Sequence, residues 1–156
     1  MTLWDQFIVR EGFKNLYHNG SCTGIQFKIL IPYYRGVFLS CLNDFMVKVD
    51  GEDFPKDRIS LKVGDRVIPW SSIDNAYDVF WNFGDKLTVM VDKSGGLKDG
   101  LHKVECGLSI RKSYIPRVDP EGIYDFAPIP REVEGYGVDF MAQDLQTSSR
   151  ELTLVL

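Results

Sequence analysis

A metal site needs several His, Cys, Asp or Glu side chains converging on one point. The sequence offers two histidines, His18 and His102, and three cysteines, Cys22, Cys41 and Cys106. Both histidines fall at predicted turns, one at the end of a hairpin and one opening a strand. They read as solvated or loop-bonding groups rather than ligands. Cys41 and Cys106 lie in apolar, strand-like surroundings, which favours inert core thiols. No Ser or Cys occupies a strand–turn–helix elbow. Gly95-Gly96 is not followed by a helix start and so does not read as a phosphate loop. Asp and Glu are too plentiful for any pair to stand out. The chain is therefore expected to hold no catalytic residue, metal ligand or cofactor of its own.

Three other features carry more information. Pro32-Tyr33-Tyr34-Arg35-Gly36 places two tyrosines and an arginine between a Pro and a Gly. Tyr and Arg are favoured anchors at protein interfaces. Val79-Phe80-Trp81-Asn82-Phe83-Gly84-Asp85 has apolar residues on both sides of an extended backbone, so it is expected to be covered on both faces. The third feature is aromatic and other apolar residues spaced along a Pro- and Gly-rich tail: Ile123, Tyr124, Phe126, Tyr136, Phe140 and Met141, among Pro116, Pro120, Pro128 and Pro130. A disordered linker is normally poor in aromatics. Such a tail reads as an arm that lies on a surface, either this domain's or a partner's. The 41 residues from Pro116 onward would reach about 130 Å when extended, against a radius of gyration of about 15 Å for a domain of this size.

The elements that must position these groups are strands. Ile25, Phe27, Ile29 and Ile31 alternate with polar neighbours, as do Phe45, Val47 and Val49; Ile59, Leu61 and Val63; Leu87, Val89 and Val91; and Val104, Cys106, Leu108 and Ile110. Period two over five segments predicts strands with one buried face, and Phe13 to Tyr17 is a weaker sixth. His18-Asn19-Gly20-Ser21, Asp50-Gly51, Val63-Gly64-Asp65-Arg66 and the longer 94–100 run mark reversals. Helix is limited to one short turn, with Ser71 or Ser72 as its cap before Ala76 and Tyr77. The expected fold is all-β, an antiparallel β-sandwich over residues 1–116. A long C-terminal arm, 117–156, follows, and Glu151–Leu156 is able to add an edge strand.

Composition narrows the partners. Of 156 residues, 44% are hydrophobic and 13% aromatic, enough for one domain with aromatic side chains to spare. The net charge of −4 argues against nucleic acid, which calls for a basic face. Residues 1–115 balance at +1 and residues 116–156 at −5, so the arm is electrostatically distinct. No segment approaches the ~20 apolar residues that span a bilayer. The start, Met1-Thr2-Leu3-Trp4-Asp5, does not read as a signal peptide. With an odd number of cysteines, the expected location is cytoplasmic.

Several blocks, in order, resemble the small β subunit of C-glycoside deglycosidases. They are Pro32-Tyr33-Tyr34-Arg35-Gly36-Val37-Phe38-Leu39-Ser40, Val47-Lys48-Val49-Asp50-Gly51-Glu52 and Phe80-Trp81-Asn82-Phe83-Gly84-Asp85. Gly95-Gly96-Leu97-Lys98-Asp99-Gly100-Leu101-His102 and Arg111-Lys112-Ser113-Tyr114-Ile115-Pro116 complete the set. The likeness covers about residues 12–116 and fades in the arm. It implies a non-metal-binding subunit of a heteromeric carbon–carbon lyase. That lyase cleaves 3-oxo-C-glycosides into an aglycone and an unsaturated 3-keto sugar. It also implies a sugar-isomerase-like, barrel-shaped α subunit as partner, which carries a divalent metal, Mn2+, and a histidine base, with further assembly into a higher hetero-oligomer. Tyr33, Tyr34, Arg35, Gly36, Trp81 and Phe83 are the residues expected at the partner interface or active-site mouth, Arg35 being suited to a phenolate or carboxylate. The alternative is a stand-alone sugar-binding module in which Tyr33, Tyr34 and Trp81 stack on a sugar ring.

Overall fold

The computed structural model describes residues 6–110, 117–118, 124–125 and 145–156. Of the strand-forming segments, β1 (Lys14–His18) and β2 (Ser21–Ile29) make the first hairpin. They are followed by β3 (Val37–Phe38), β4 (Leu42–Val49), β5 (Glu52–Phe54), β6 (Ile59–Val63), β7 (Arg66–Pro69) and β8 (Phe80–Trp81). β9 (Leu87–Asp92), β10 (Gly100–Ile110), β11 (Arg117–Val118), β12 (Tyr124–Asp125) and β13 (Gln146–Leu154) complete the order. Every pairing is antiparallel: a five-stranded sheet β1-β2-β9-β6-β7, a four-stranded sheet β13-β10-β4-β5, and the short ribbons β3-β8 and β11-β12. The protein is all-β, as the alternation predicts.

The inward residues of the two large sheets form one continuous core. Ile25, Phe27, Ile29, Leu61, Leu87 and Val89 come from the first sheet; Phe45, Val47, Val104, Cys106, Leu108 and Ile110 come from the second. Burying an aliphatic or aromatic side chain of this kind contributes roughly 1.5–3 kcal/mol, so the alternation is itself the main determinant of which face turns inward. Asp50 and Gly51, both at positive φ (51° and 83°), link β4 to β5 through a two-residue turn whose twist suits paired strands.

Two expectations are corrected. Helix is three short 3-10 segments rather than one, Leu39–Cys41, Lys56–Arg58 and Trp70–Asn75, and the last, the expected turn, is preceded by Pro69 and has no side-chain cap; the fixed φ of proline starts it one residue ahead of the serines. The 79–85 stretch is not a strand covered on both faces. Only Phe80–Trp81 pairs, with Val37–Phe38; Val79 and Trp81 point inward while Phe80 and Phe83 point out. The end of the tail forms β13, which adds to β10 over nine residue pairs. It is fastened from its other side by the N-terminal segment: Phe7 N–H donates to Ser148 Oγ at 3.2 Å, Gln6 Nε2 to Ser149 O at 3.0 Å and Arg150 Nη1 to Ile8 O at 2.7 Å. Within the arm, Ile123, Phe126, Tyr136, Phe140, Met141, Pro120, Pro128 and Pro130 lie outside the described residues, as do Arg111 to Pro116. Among the described residues, no helix is long and apolar enough to cross a membrane.

Candidate functional site

The β3–β8 ribbon and the loops that flank it gather the aromatic residues of the first two sequence features. Its frame is made by backbone hydrogen bonds. Leu39 N–H donates to Val79 O at 2.9 Å and Ser40 N–H to Ala76 O at 3.3 Å, so the Leu39–Cys41 turn is held against the Trp70–Asn75 turn. Trp81 sits beneath the ribbon with 0% of its surface exposed. Its Nε1–H donates to the Asp85 carbonyl at 2.8 Å. Asp85 N–H in turn donates to Asn82 O at 3.1 Å. That closes a tight turn with Phe83 at its tip, 61% exposed.

On the outer side, Phe38 and Phe80 stand opposite each other across the ribbon, ring centroids 5.0 Å apart and inclined at 72°. This edge-to-face arrangement satisfies the ring quadrupoles. Each ring is 39% exposed. Tyr33 and Tyr34 divide: Tyr33 is buried at 4%, and Tyr34, its ring centroid 4.5 Å from that of Tyr33, is 58% exposed. Arg35 is exposed and Gly36 is buried.

Gly36 explains itself by close approach. A Cβ there would lie 2.7 Å from Phe80 Cε2 and Cζ and 2.7 Å from the Trp81 carbonyl oxygen. The ring can swing, but the backbone oxygen cannot. Gly36→Ala is expected to cost about 1–3 kcal/mol and to push Phe80 off Phe38, which urea unfolding and aromatic-ring NMR contacts would register together.

Of the six residues expected at an interface, Tyr34, Arg35 and Phe83 present surface, whereas Tyr33, Gly36 and Trp81 lie beneath and set the position of the others. In the sugar-platform alternative, two of the three rings, Tyr33 and Trp81, are buried. Phe38 and Phe80 were not singled out from the sequence. The sequence shows each next to a buried apolar residue, Val37 or Trp81, but two-residue strands carry no period that would mark Phe38 and Phe80 as outward.

A second organised region is the crossover between β9 and β10, where the quoted 95–102 block falls. His102 is loop-bonding: its Nδ1 lies 2.6 Å from Asp50 Oδ2 and its Nε2 2.7 Å from Lys98 O. Desolvation of the ring opposes its charge, but the hydrogen bonds to Asp50 and Lys98 and the attraction of Asp50 outweigh it and raise the pKa. Asp50 is likewise partly desolvated, yet the bonds from His102 and from Lys103 N–H lower its pKa. His18 is exposed at the first hairpin turn. Cys106 is fully buried, and desolvation pushes its thiol pKa far up, so it is chemically inert. Among the described residues, no three His, Cys, Asp or Glu side chains converge as metal ligands would.

The chain matches the family model for the C-glycoside deglycosidase beta subunit over residues 3–114. A protein of Eubacterium cellulosolvens described as a C-glycoside deglycosidase beta subunit is 33% identical over 119 residues, spanning 76% of this chain and 81% of that protein. A Microbacterium protein described as a 3'-dehydrocarminate deglycosidase beta subunit is 33% identical over 95 residues, 60% of this chain and 70% of that one. The family match takes in both sheets up to the end of β10, the ribbon and the crossover, and on that span the chain belongs to the C-glycoside deglycosidase beta subunit family.

Proposed function

We propose that this chain is the accessory β subunit of a heteromeric C-glycoside deglycosidase, located in the cytoplasm. In this reading the complex is a carbon–carbon lyase acting on 3-oxo-C-glycosides. A base takes the C2 proton, the C1–aglycone bond breaks as C1=C2 forms, and the aglycone carbon takes up a proton. The products are the free aglycone and a 1,2-unsaturated 3-keto sugar. The base and a divalent metal, Mn2+, belong to a sugar-isomerase-like barrel, the α subunit; the metal would supply Lewis acidity for the enolate. One relative is named for a 3'-dehydro compound, which supports a 3-oxo sugar as the substrate class.

The observation that carries the accessory role is family membership together with an aromatic face on a rigid frame. Tyr34, Phe38, Phe80 and Phe83 are exposed, Phe38 and Phe80 in contact with each other, and Arg35, next to Tyr34 in the chain, is exposed as well. Large exposed aromatics gathered in one region mark contact sites on soluble proteins. This face would meet the α subunit near its active-site mouth, in an interface of about 1,600 Å² or more, and the pairs would assemble into a higher hetero-oligomer. Co-expression with the barrel subunit from the same organism is expected to yield a co-eluting complex, and removal of this chain to lower cleavage of a 3-oxo-C-glycoside. Separate elution, with full activity in the α subunit alone, would sink the proposal. Calorimetry of the isolated chain against glycosides checks the sugar-binding alternative, which requires millimolar or tighter affinity without a partner.

A further inference from the structure

The β9–β10 crossover is where the chain leaves one large sheet and enters the other, and it is tied to both. From the five-stranded sheet, Asn15 of β1 clamps Leu97. Its Nδ2 donates to Leu97 O at 2.9 Å and its Oδ1 accepts from Leu97 N–H at 2.9 Å. From the four-stranded sheet, Glu52 of β5 pairs with Lys93 at 2.9 Å. Asp50, in the β4–β5 turn, reaches the far end of the crossover through His102.

His102 has an oxygen acceptor at each ring nitrogen, Asp50 Oδ2 at Nδ1 and Lys98 O at Nε2. A neutral imidazole carries one N–H, so in either tautomer one lone pair would face an oxygen at 2.6 or 2.7 Å. Only the imidazolium donates to both. The acceptors are themselves fixed. Asp50 Oδ1 accepts from Lys103 N–H at 2.8 Å, and Asp50 N–H donates to Lys103 O at 2.9 Å. Swinging the carboxylate away would break the bond from Lys103 N–H. The Phe13 ring stands edge-on at 6.0 Å and covers part of the imidazole.

We propose that His102 is a protonation latch, its imidazolium locking the β9–β10 crossover to the β4–β5 turn and the loss of its proton releasing the Lys98 end of the crossover. This goes beyond the accessory role and does not depend on it. The charged and titratable residues on the elements that meet here are Lys14 and His18 of β1, Asp44 and Lys48 of β4, Asp50 of the turn, Glu52 and Asp53 of β5, Asp92 of β9, Lys93, Lys98 and Asp99 of the crossover, Lys103 and Glu105 of β10, and Arg150 and Glu151 of β13. Among the described residues, the Asp50 carboxylate is the charged group hydrogen-bonded to the ring. Lys93 is engaged by Glu52, Lys103 by Glu105, and Asp99 accepts from Leu156 N–H.

The pH window follows from the directions of the two pKa values. His102 is raised, so its contribution is complete below the ordinary histidine value and fades as pH climbs through the raised one. Asp50 is lowered, so its contribution is present above the ordinary carboxylate value and is lost only as pH falls through the lowered one. The latch is therefore engaged between the ordinary carboxylate and ordinary histidine values and opens as pH climbs through the raised value of His102.

The test uses the full chain labelled with 15N-histidine, followed by NMR from about pH 5 to 10, with amide hydrogen exchange at Gly96, Leu97 and Lys98 corrected for intrinsic rates. Both His102 ring nitrogens are expected to be protonated at about pH 6 and to titrate above the ordinary histidine value of about 6.5. Protection of the Lys98 end should fall about tenfold or more across the same titration. In Asp50→Asn, which tolerates the positive φ of this turn, the ring should titrate at or below the ordinary value and the protection step should move with it. A single neutral tautomer at about pH 6, below the ordinary histidine value, would overturn the proposal, and so would protection that stays level while His102 loses its proton. The wild-type titration suffices for either outcome if the variant does not fold.

Discussion

Trp81→Ala is expected to lower the unfolding free energy by about 3–5 kcal/mol, a drop of roughly 6–20 °C in Tm for a domain of this size. The indole is wholly buried and pairs across the ribbon with Val37, itself fully buried. Its removal leaves a cavity bounded by backbone that is already fixed by the bonds from Leu39 to Val79 and from Ser40 to Ala76, so collapse to fill the space is restricted. The indole N–H is a separate quantity. It satisfies the Asp85 carbonyl, and Trp81→Phe, which keeps most of the volume, should cost only about 1 kcal/mol for the lost bond plus a modest packing loss. Urea denaturation of both variants checks the division. Near-equal losses would mean that the hydrogen bond, not the volume, holds the 82–85 turn.

The two sheets were legible because each buried face is written as alternation. β2, β4, β6, β9 and β10 carry it plainly, and the turns between them carry Gly at the positions that require it. β13 was legible only at its end. Its inward positions include Ser148, which is buried because its hydroxyl accepts from Phe7 N–H and donates to Gln6 Oε1; a hydroxyl satisfied from 142 residues away gives no local signal. The ribbon was misread for a related reason. Two residues are too short for a period, so the pattern in 79–85 could not say that Trp81 turns in while Phe80 and Phe83 turn out. Tyr33 and Tyr34 lie outside any strand, so parity does not assign them either. The crossover clamp is the extreme case: Asn15 and Leu97 are 82 residues apart, and Asp50 and His102 are 52 apart. Each looks locally like an ordinary polar residue at a turn or strand start. What the sequence offered there was the ordered block of glycines around Leu97, and its physical content emerges only when both sheets are in place.

Phe83→Asp separates the function of the ribbon from its stability. The side chain is 61% exposed at the tip of a turn held from below by Trp81, so the substitution should leave folding within about 0.5 kcal/mol of the parent. If Phe83 anchors the contact with the α subunit, a carboxylate buried there without a partner should weaken association by at least 2 kcal/mol, about 30-fold. Trp81→Ala would lower both stability and association; Phe83→Asp would lower association alone. Leu101→Asp, at a residue equally exposed at the start of β10, gives the comparison. Titration calorimetry or size-exclusion chromatography of each variant with the barrel subunit reads the result. Loss confined to Phe83→Asp fixes the contact on the ribbon. Loss confined to Leu101→Asp moves it to the crossover end of the sheets, where the exposed Val155 and Leu156 also lie, and the ribbon would then have no part in assembly.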